Sequence, residues 1–366
     1  ASVQMKHGAD LKNMLDQNPL IEAQWIRQLY PGIDTLDEAQ LQSEYHITEI
    51  DMESLGRFIL WLGDKACHFS KRRKEIIFRQ AVLIYRVALF SKGLFLQRPK
   101  PSHFGRTYYE GISVQNVHRS LRQAMLGNCW EYDLVSAVVA WKLGFAKRYA
   151  AHSGKTDSVE RLFPTLIIYI EDKDDLIRTI RADTYTKDTT ADKETQRRHI
   201  KSALTALSFG ARIGTRGWHD DSGVWHVPAI GKIINDPIER QRFVESLSTQ
   251  AFMNEQRKLD QFIYQTHLTS NPSLRIDPKL QSSSGRPSKA KVLAYLYQHA
   301  ETRTMDIFRA ELTRANKISM ASIHDALIVR QQLMAHERED IIQSIRKATG
   351  NPYWRISQRK IQRFDN

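Results

Sequence analysis

The spacing of hydrophobic side chains predicts a chain built mainly from helices. Between Phe69 and Leu96, apolar residues recur three and four positions apart, and this spacing is typical of an amphipathic helix. The same period recurs in several later segments, each bounded by polar or proline-containing stretches. The pattern therefore predicts further helices at residues 136–150, 193–213, 238–266, 289–300 and 335–349.

A smaller set of segments has the pattern of strands or loops. Residues 130–134 predict a short strand, residues 317–331 a pair of strands, and residues 353–356 a closing strand. The apolar run at 162–170 fits a buried strand or a helix equally well. Residues 218–231 are interpreted as a loop because they contain Gly and Asp. The chain is thus expected to belong to the α+β class and to be mainly helical.

The net charge of the chain indicates a class of binding partner. The 366 residues contain 54 Lys and Arg against 41 Asp and Glu, a net charge of +13. Residues 1–60 contain four basic and ten acidic side chains, which is −6, so the rest of the chain has +19. A basic body of this size favours a polyanion such as nucleic acid, although a solvated basic surface is the simpler alternative. The acidic N-terminal segment is a candidate for docking onto a basic partner.

Other features of the sequence bear on the cellular compartment in which we expect the protein. Apolar residues make up 41% of the chain and charged residues 26%, which excludes a wholly disordered protein. No uninterrupted apolar stretch is long enough to predict a membrane span, and the N-terminus has no signal-peptide pattern. The two cysteines, Cys67 and Cys129, are far apart and predict no disulfide framework. We therefore expect a cytoplasmic protein with no membrane association.

Two aspartates occupy positions that suit metal chemistry. Asp325 lies in the polar pair His324-Asp325 in the middle of an apolar run, and a β-hairpin with this pair at its tip would keep the charge out of the core. Asp133 lies near the end of the strand predicted at 130–134. If the strands adjoin, Asp133 and Asp325 can hold two divalent ions about 4 Å apart. Taken singly, each residue also suits a structural role, since Asp133 can cap the following helix.

A third segment has the pattern of a phosphate-binding helix. Arg197 and Lys201 are four residues apart and share a helix face, and Thr205 and Phe209 continue the stripe. The two cations can neutralise the phosphates of a nucleotide while the ring stacks near its base or sugar. The alternative is a basic amphipathic helix with Phe209 in the core.

Together with a fourth segment, these motifs resemble the single-subunit RNA polymerase family of T-seven-like bacteriophages and mitochondria. In order along the chain, the motifs are Ser102-His103-Phe104-Gly105-Arg106 followed by Tyr108, Asp133, the set Arg197, Lys201, Phe209 and Gly210, and His324-Asp325. They span residues 102–325, most of the chain. A chance occurrence of all four in this order is improbable, so the combination is more specific than any single motif.

The resemblance implies a right-hand polymerase with palm and fingers and a reduced thumb or N-terminal region. It predicts a helical remnant at residues 1–100, palm at 101–150 and 295–366, and fingers at 151–294. It further implies that Asp133 and Asp325 bind two Mg²⁺ ions and are the catalytic carboxylates.

The remaining motif residues receive roles from the same resemblance. Arg197, Lys201, Phe209 and Gly210 would bind the nucleoside triphosphate. Gly105, Arg106 and Tyr108 would contact the DNA template and RNA product, and His324 would lie near the product terminus. The implied function is DNA-templated RNA synthesis from NTPs.

Three departures from the family pattern modify this hypothesis. Ser102 replaces the usual Thr or Asp, and Phe209 replaces a tyrosine whose hydroxyl is associated with sugar selection. Against a DNA polymerase, Val138 occupies the position where family A DNA polymerases have a glutamate that blocks the 2′-position. Only about a hundred residues precede the Gly-Arg motif, so we expect a second, smaller protein subunit to supply the N-terminal region, and possible help from a single-stranded-DNA-binding or promoter-opening factor.

Two alternatives stay open on the sequence. One is a family A-like DNA polymerase or a primase. The other, of a different class, is a non-catalytic subunit that binds nucleic acid.

Overall fold

The chain is mainly helical with small antiparallel sheets, which confirms the α+β class. The computed structural model describes residues 24–25, 28–30, 43–152, 158–186, 189–213, 217–219 and 223–365. Most of the acidic N-terminal segment that was predicted to dock onto a partner lies outside the described residues. Among the helices in those ranges, none has both the length and the apolarity needed to cross a membrane.

Fourteen α-helices are assigned within the described ranges. They are α1 (Met52–Gly63), α2 (Lys71–Phe90), α3 (Arg119–Leu126), α4 (Ala137–His152), α5 (Val159–Leu162), α6 (Pro164–Glu171), α7 (Lys173–Thr184), α8 (Lys193–Ser208), α9 (Ala229–Ile233), α10 (Pro237–Glu245), α11 (Leu247–Ser270), α12 (Ser273–Ile276), α13 (Lys289–Arg314) and α14 (Ala335–Thr349). A 3₁₀ turn covers Pro278–Leu280.

Within the described ranges, the strands are short and form four sheets. They are β1 (His46–Glu49), β2 (Leu94–Gln97), β3 (Pro99–Pro101), β4 (Thr107–Tyr109), β5 (Cys129–Leu134), β6 (Trp218–His219), β7 (Trp225–His226), β8 (Ser319–Ile323), β9 (Ala326–Val329) and β10 (Ile356–Ile361). The largest sheet has the order β10-β5-β9-β8, and β1-β2, β3-β4 and β6-β7 form two-stranded sheets.

The chain divides into two units. The first comprises residues 1–133, 308–339 and 357–366, and the second comprises residues 134–307 and 340–356. The assignment of palm, fingers and thumb remains a prediction.

The core of the first unit lies among α1, α2, α3 and the large sheet. Helix α1 begins where the carboxylate of Asp51 accepts the N–H of Ser54 at 3.0 Å, and Phe58 on its inner face is fully buried. On α2 the buried residues Ile77, Ala81, Ile84 and Val87 recur at helical spacing. The same core includes Met320 and Ile328 from the sheet.

Several predictions of element type or boundary were wrong, and the structure decides one segment that the sequence left open. The helix expected through Leu96 ends at Phe90, and after Gly93, with its φ of 91°, residues 94–97 form β2 against β1. The ambiguous run at 162–170 is helical, and the loop predicted at 218–231 contains the β6-β7 hairpin and α9. The closing strand begins at Ile356, three residues later than predicted. Period alone does not distinguish a short apolar strand from the end of a helix.

In the second unit, the first half of α4 is buried on every side, since residues 137–144 are all buried. The Nδ2 atom of Asn351 donates to the carbonyl of Ala140 at 3.0 Å, and a Cβ atom at Gly144 would lie 2.1 Å from the same side chain. Glycine at 144 is therefore required for this close approach. From α11, the carboxylate of Glu255 accepts the N–H groups of Thr165 and Leu166 and so caps α6.

Candidate functional site

The register of the large sheet brings the two predicted catalytic aspartates to the same end of neighbouring strands. Strands β5 and β9 are antiparallel, and Asp133 is directly opposite Ala326. Asp325 immediately precedes Ala326 in the chain. Both aspartates are half-buried. Residues 192 positions apart in sequence therefore meet at one strand end, as the hairpin hypothesis required.

The tip of the β8-β9 hairpin consists of His324 and Asp325 alone, since Ile323 pairs with Ala326. His324 has a φ of 52°, the left-handed conformation that two-residue hairpins need at their first turn position. The predicted hairpin with Asp325 at its tip is thus confirmed. Its tight turn fixes the backbone of Asp325 relative to β9.

The Gly-Arg motif contacts this hairpin through its tyrosine. Residues 102–106 form the turn between β3 and β4, in which the N–H of Ser102 donates to the carbonyl of Arg106 at 2.8 Å and Gly105 has a φ of 95°. Tyr108 on β4 lies edge-on to His324, with ring centroids 6.0 Å apart. Three of the four sequence motifs therefore meet within the first unit.

Side chains around β5 hold its position. The hydroxyl of Tyr132, a fully buried residue, accepts the N–H of Leu333 at 2.6 Å, and its ring contacts Phe308. Glu131, two residues before Asp133, forms an ion pair with Arg359 of β10. From the same strand, Ser357 donates to the carbonyl oxygen of Asp133 at 3.3 Å. These contacts connect the strand end to the neighbouring elements.

The predicted phosphate-binding helix lies in the second unit as α8. Asp192 caps it by accepting the N–H groups of Glu194 and Thr195, both at 2.9 Å. Lys201 is exposed on the polar face. Arg197 is partly exposed and forms an ion pair with Asp174 at 2.6 Å, and this partner raises the pKa of the Arg197 guanidinium.

Phe209 is not a core residue, which contradicts the structural alternative for this helix. It follows the last residue of α8 and is 59% exposed, with its ring edge-on to Tyr297 at 5.9 Å. Gly210, the next residue, has a φ of 84° and nothing within 4 Å of its Cβ direction. At the end of α8, the Phe209 ring is therefore accessible, and the neighbouring backbone at Gly210 permits close approach.

A cavity of about 310 Å³ lies beside this ring, within the second unit. Its walls combine aromatic rings with cationic side chains. The rings are Trp141, Phe209 and Tyr297, and the cations include Lys142, Arg257 and Lys289. Concave sites with apolar walls and a few polar groups are typical of ligand pockets.

Lys142 was missed by the sequence analysis. It is only 3% exposed, donates to the carbonyl of Ser208 and to Oε1 of Gln256, both at 2.8 Å, and pairs with Asp260 at 2.6 Å. Burial lowers the pKa of its ammonium group, and Asp260 opposes this shift. A single lysine inside the apolar run 137–146 was the available signal. By binding the Ser208 carbonyl, Lys142 holds the end of α8 that carries Phe209.

Metal binding at the strand end would rest on two carboxylates. No group of three or more His, Cys, Asp or Glu that could hold an ion occurs among them. Mg²⁺, however, is often held by one or two carboxylates together with substrate phosphates and water. The paired positions of Asp133 and Asp325 meet that requirement.

Comparison with known proteins gives no family assignment. The sequence matches no protein-family model, and no curated protein is significantly similar to it.

Proposed function

We propose that this chain is the catalytic subunit of a phage-type RNA polymerase that copies a DNA template into RNA. The observation that carries this proposal is the β5-β9 register, which brings Asp133 beside the turn that contains Asp325. Tyr108 of the Gly-Arg motif contacts the same turn through His324. A sequence resemblance that arose by chance would not be expected to gather three separate motifs at one strand end.

Within this proposal, Asp133 and Asp325 are the Mg²⁺-binding and catalytic carboxylates. When bound, two Mg²⁺ ions supply activation of an attacking hydroxyl and charge neutralisation at the phosphates. The protein contributes the position of both carboxylates, each fixed by backbone that belongs to the sheet or its two-residue turn. His324 would lie near the product terminus, and Gly105, Arg106 and Tyr108 would contact the template–product hybrid.

The second unit would bind the nucleotide. Arg197 and Lys201 are cations on the polar face of α8 and would hold the triphosphate. Arg197 would exchange its ion pair with Asp174 for a phosphate, a small loss because the pair is exposed. Phe209 would pack beside the base or sugar, and the open backbone at Gly210 permits close approach.

The proposed partners are the DNA template, the RNA product, NTPs and a smaller protein subunit. The net charge of +13 supports binding of a polyanion.

Extension of an RNA primer on a preformed DNA template tests the proposal. The reactions would contain Mg²⁺ with rNTPs or dNTPs, and would compare the wild type with Asp133→Asn and Asp325→Asn. Asp51→Asn is the matched control, because it makes the same carboxylate-to-amide change and asparagine also caps helices.

We expect rNTP-dependent extension by the wild type and by Asp51→Asn, and none by the other two variants. Binding of the primer–template should persist in all four proteins. Extension by Asp325→Asn at the wild-type rate would refute the metal-site assignment. A preference for dNTPs would instead indicate a DNA polymerase, and binding without extension, even with the native partner, would indicate a non-catalytic subunit.

A further inference from the structure

A strongly basic surface of the first unit lies outside all four sequence motifs. Between Asp64 and Glu75 the chain contains five basic and two acidic side chains. Aromatic rings lie among these cations, and α3 adds another cation. We call this surface the basic–aromatic patch; it consists of Trp61, Lys65, His68, Phe69, Lys71, Arg72, Arg73, Lys74, His118 and Arg119.

Ring contacts connect residues 61–69 of the patch with His118, beside α3. His68 lies on Phe69 with centroids 4.7 Å apart, and Phe69 contacts His118 at 5.1 Å. Trp61 of α1 contacts both His68, at 5.5 Å, and Phe69, at 5.7 Å. His68 is exposed, whereas Trp61, Phe69 and His118 are partly covered. The four rings therefore pack against one another, and His68 is the ring that is exposed to solvent.

The cations of the patch lie close to these rings. Burial lowers the pKa of His118, and the charge of Arg73 contributes to the same shift. Arg119 follows His118 and is exposed. The two neighbouring acids offset only part of this charge, since residues 64–75 contain five basic and two acidic side chains, and Glu75 pairs with Arg79 outside this segment. In the part of the chain that the structure describes, Lys71, Arg72 and Arg73 have no ion-pair partner.

The positions of these cations are unfavourable for the helix that carries them. Lys71, Arg72 and Arg73 are the first residues of α2, where the helix dipole repels positive charge. Within the helix itself nothing compensates, because the Ser70 side chain makes no capping hydrogen bond and the first turn contains no acid. Folding alone therefore disfavours basic residues here, and binding of a polyanion would explain them.

We propose that the basic–aromatic patch binds single-stranded nucleic acid. The cations would contact successive phosphates, and an unpaired base would stack on His68 and the rings behind it. Single strands suit the patch because their bases are free to stack while the cations follow the backbone. This inference goes beyond the proposed function and does not depend on catalysis.

Binding of labelled 20-nucleotide single strands tests the inference. Fluorescence anisotropy would measure affinity over a range of salt concentrations for single-stranded DNA, single-stranded RNA and duplex DNA, without nucleotides. The test variant is the triple change Lys71→Gln, Arg72→Gln, Arg73→Gln. The control makes the same change in net charge at three other exposed cations, Arg178, Arg314 and Lys347.

The triple variant should bind single strands at least about tenfold more weakly, with a salt slope reduced by about 2, since each lost phosphate contact contributes about 0.7. Its melting temperature should rise, because repulsion at the start of α2 is relieved. His68→Ala should weaken single-strand binding by about fivefold or more without changing the salt slope.

Three results would overturn the inference. They are an equal loss of affinity in the control triple, an equal loss for duplex and single strands, and full competition by poly-aspartate of matched charge. Primer extension is measured separately. A patch-specific loss of binding in a protein that never extends a primer would refute the proposed function and leave this inference intact.

Discussion

The two centres that contain the predicted site residues are assembled in different ways. In the first unit, the pairing of β5 with β9 brings Asp133 and Asp325 to one strand end, and both are half-buried. In the second unit, the surface of α8 is set by helical spacing, while its end is held by Lys142 and Asp260, a deeply buried ion pair. Substitutions of Asp133 or Asp325 should therefore change catalytic activity. Substitutions of Lys142 or Asp260 should first lower the free energy of unfolding.

The largest expected effect on stability is that of Lys142→Met. Removing one partner of a buried ion pair leaves the other charge without compensation, and this typically destabilises a protein by about 3–5 kcal/mol. Denaturant unfolding would measure the loss. The double variant Lys142→Met, Asp260→Leu should recover most of it, since both charges are then absent. An unchanged unfolding midpoint in Lys142→Met would contradict the structural role of this pair.

Removal of a single hydroxyl tests the support of the strand end. Tyr132→Phe leaves the N–H of Leu333 without its buried acceptor, which should lower the free energy of unfolding by about 1–3 kcal/mol. Tyr109→Phe is the matched control, because its hydroxyl bonds to His46 at a more exposed position. If the two variants lose equal stability, burial does not strengthen the Tyr132 contact.

The contribution of Glu160, a partly exposed carboxylate of the second unit, to the free energy of unfolding should depend on pH. Hydrogen bonds from Lys147, Ser158 and Tyr353 lower the pKa of Glu160 from its ordinary 4.5 to about 2. Because the folded pKa is depressed, the stabilisation is complete above pH 4.5 and is lost as the pH falls toward 2. The side chain is 43% exposed, so we expect no more than about 1 kcal/mol.

Unfolding of the wild type and Glu160→Gln across this pH range would measure the difference. It should be largest near neutral pH and shrink on acidification. Tyr353→Phe, which removes one donor, should give a smaller difference of the same sign. A difference that grows at low pH would have the wrong sign for this mechanism.

The smallest effect on stability is expected from Asp174→Asn. Its ion pair with Arg197 is exposed and should contribute less than about 0.5 kcal/mol. The freed guanidinium should nevertheless bind triphosphate more tightly, and the KM for NTPs should fall. Glu194→Gln is the control, because Glu194 is 3.9 Å from Arg197 and makes a weaker contact. A raised KM in Asp174→Asn would show that the aspartate positions Arg197.

The local sequence pattern was sufficient to predict several parts of the fold and of the candidate site. The period of three to four residues predicted α8, and an apolar run interrupted by His324-Asp325 predicted the β8-β9 hairpin. Both depend on neighbours in sequence. The β5-β9 pairing was only a hypothesis, because antiparallel partners such as Asp133 and Ala326, 193 residues apart, leave no local signal.

What the sequence analysis missed depends on distant contacts. Residues 94–96 continue a helical period, but pairing with β1 makes them a strand. Lys142 looked like one more residue of an apolar helix because its partner Asp260 lies 118 positions away. The ring contact between Phe209 and Tyr297 was equally inaccessible to any local pattern.

The two-residue turn at His324-Asp325 restricts how this protein can vary in length. One inserted residue would widen the turn or shift the pairing of β8 with β9, and a shift by one residue moves every side chain to the opposite face. Asp325 would then no longer lie beside the end of β5. Insertions and deletions should therefore be excluded from residues 323–326 during evolution and in engineered libraries, even where substitutions are tolerated.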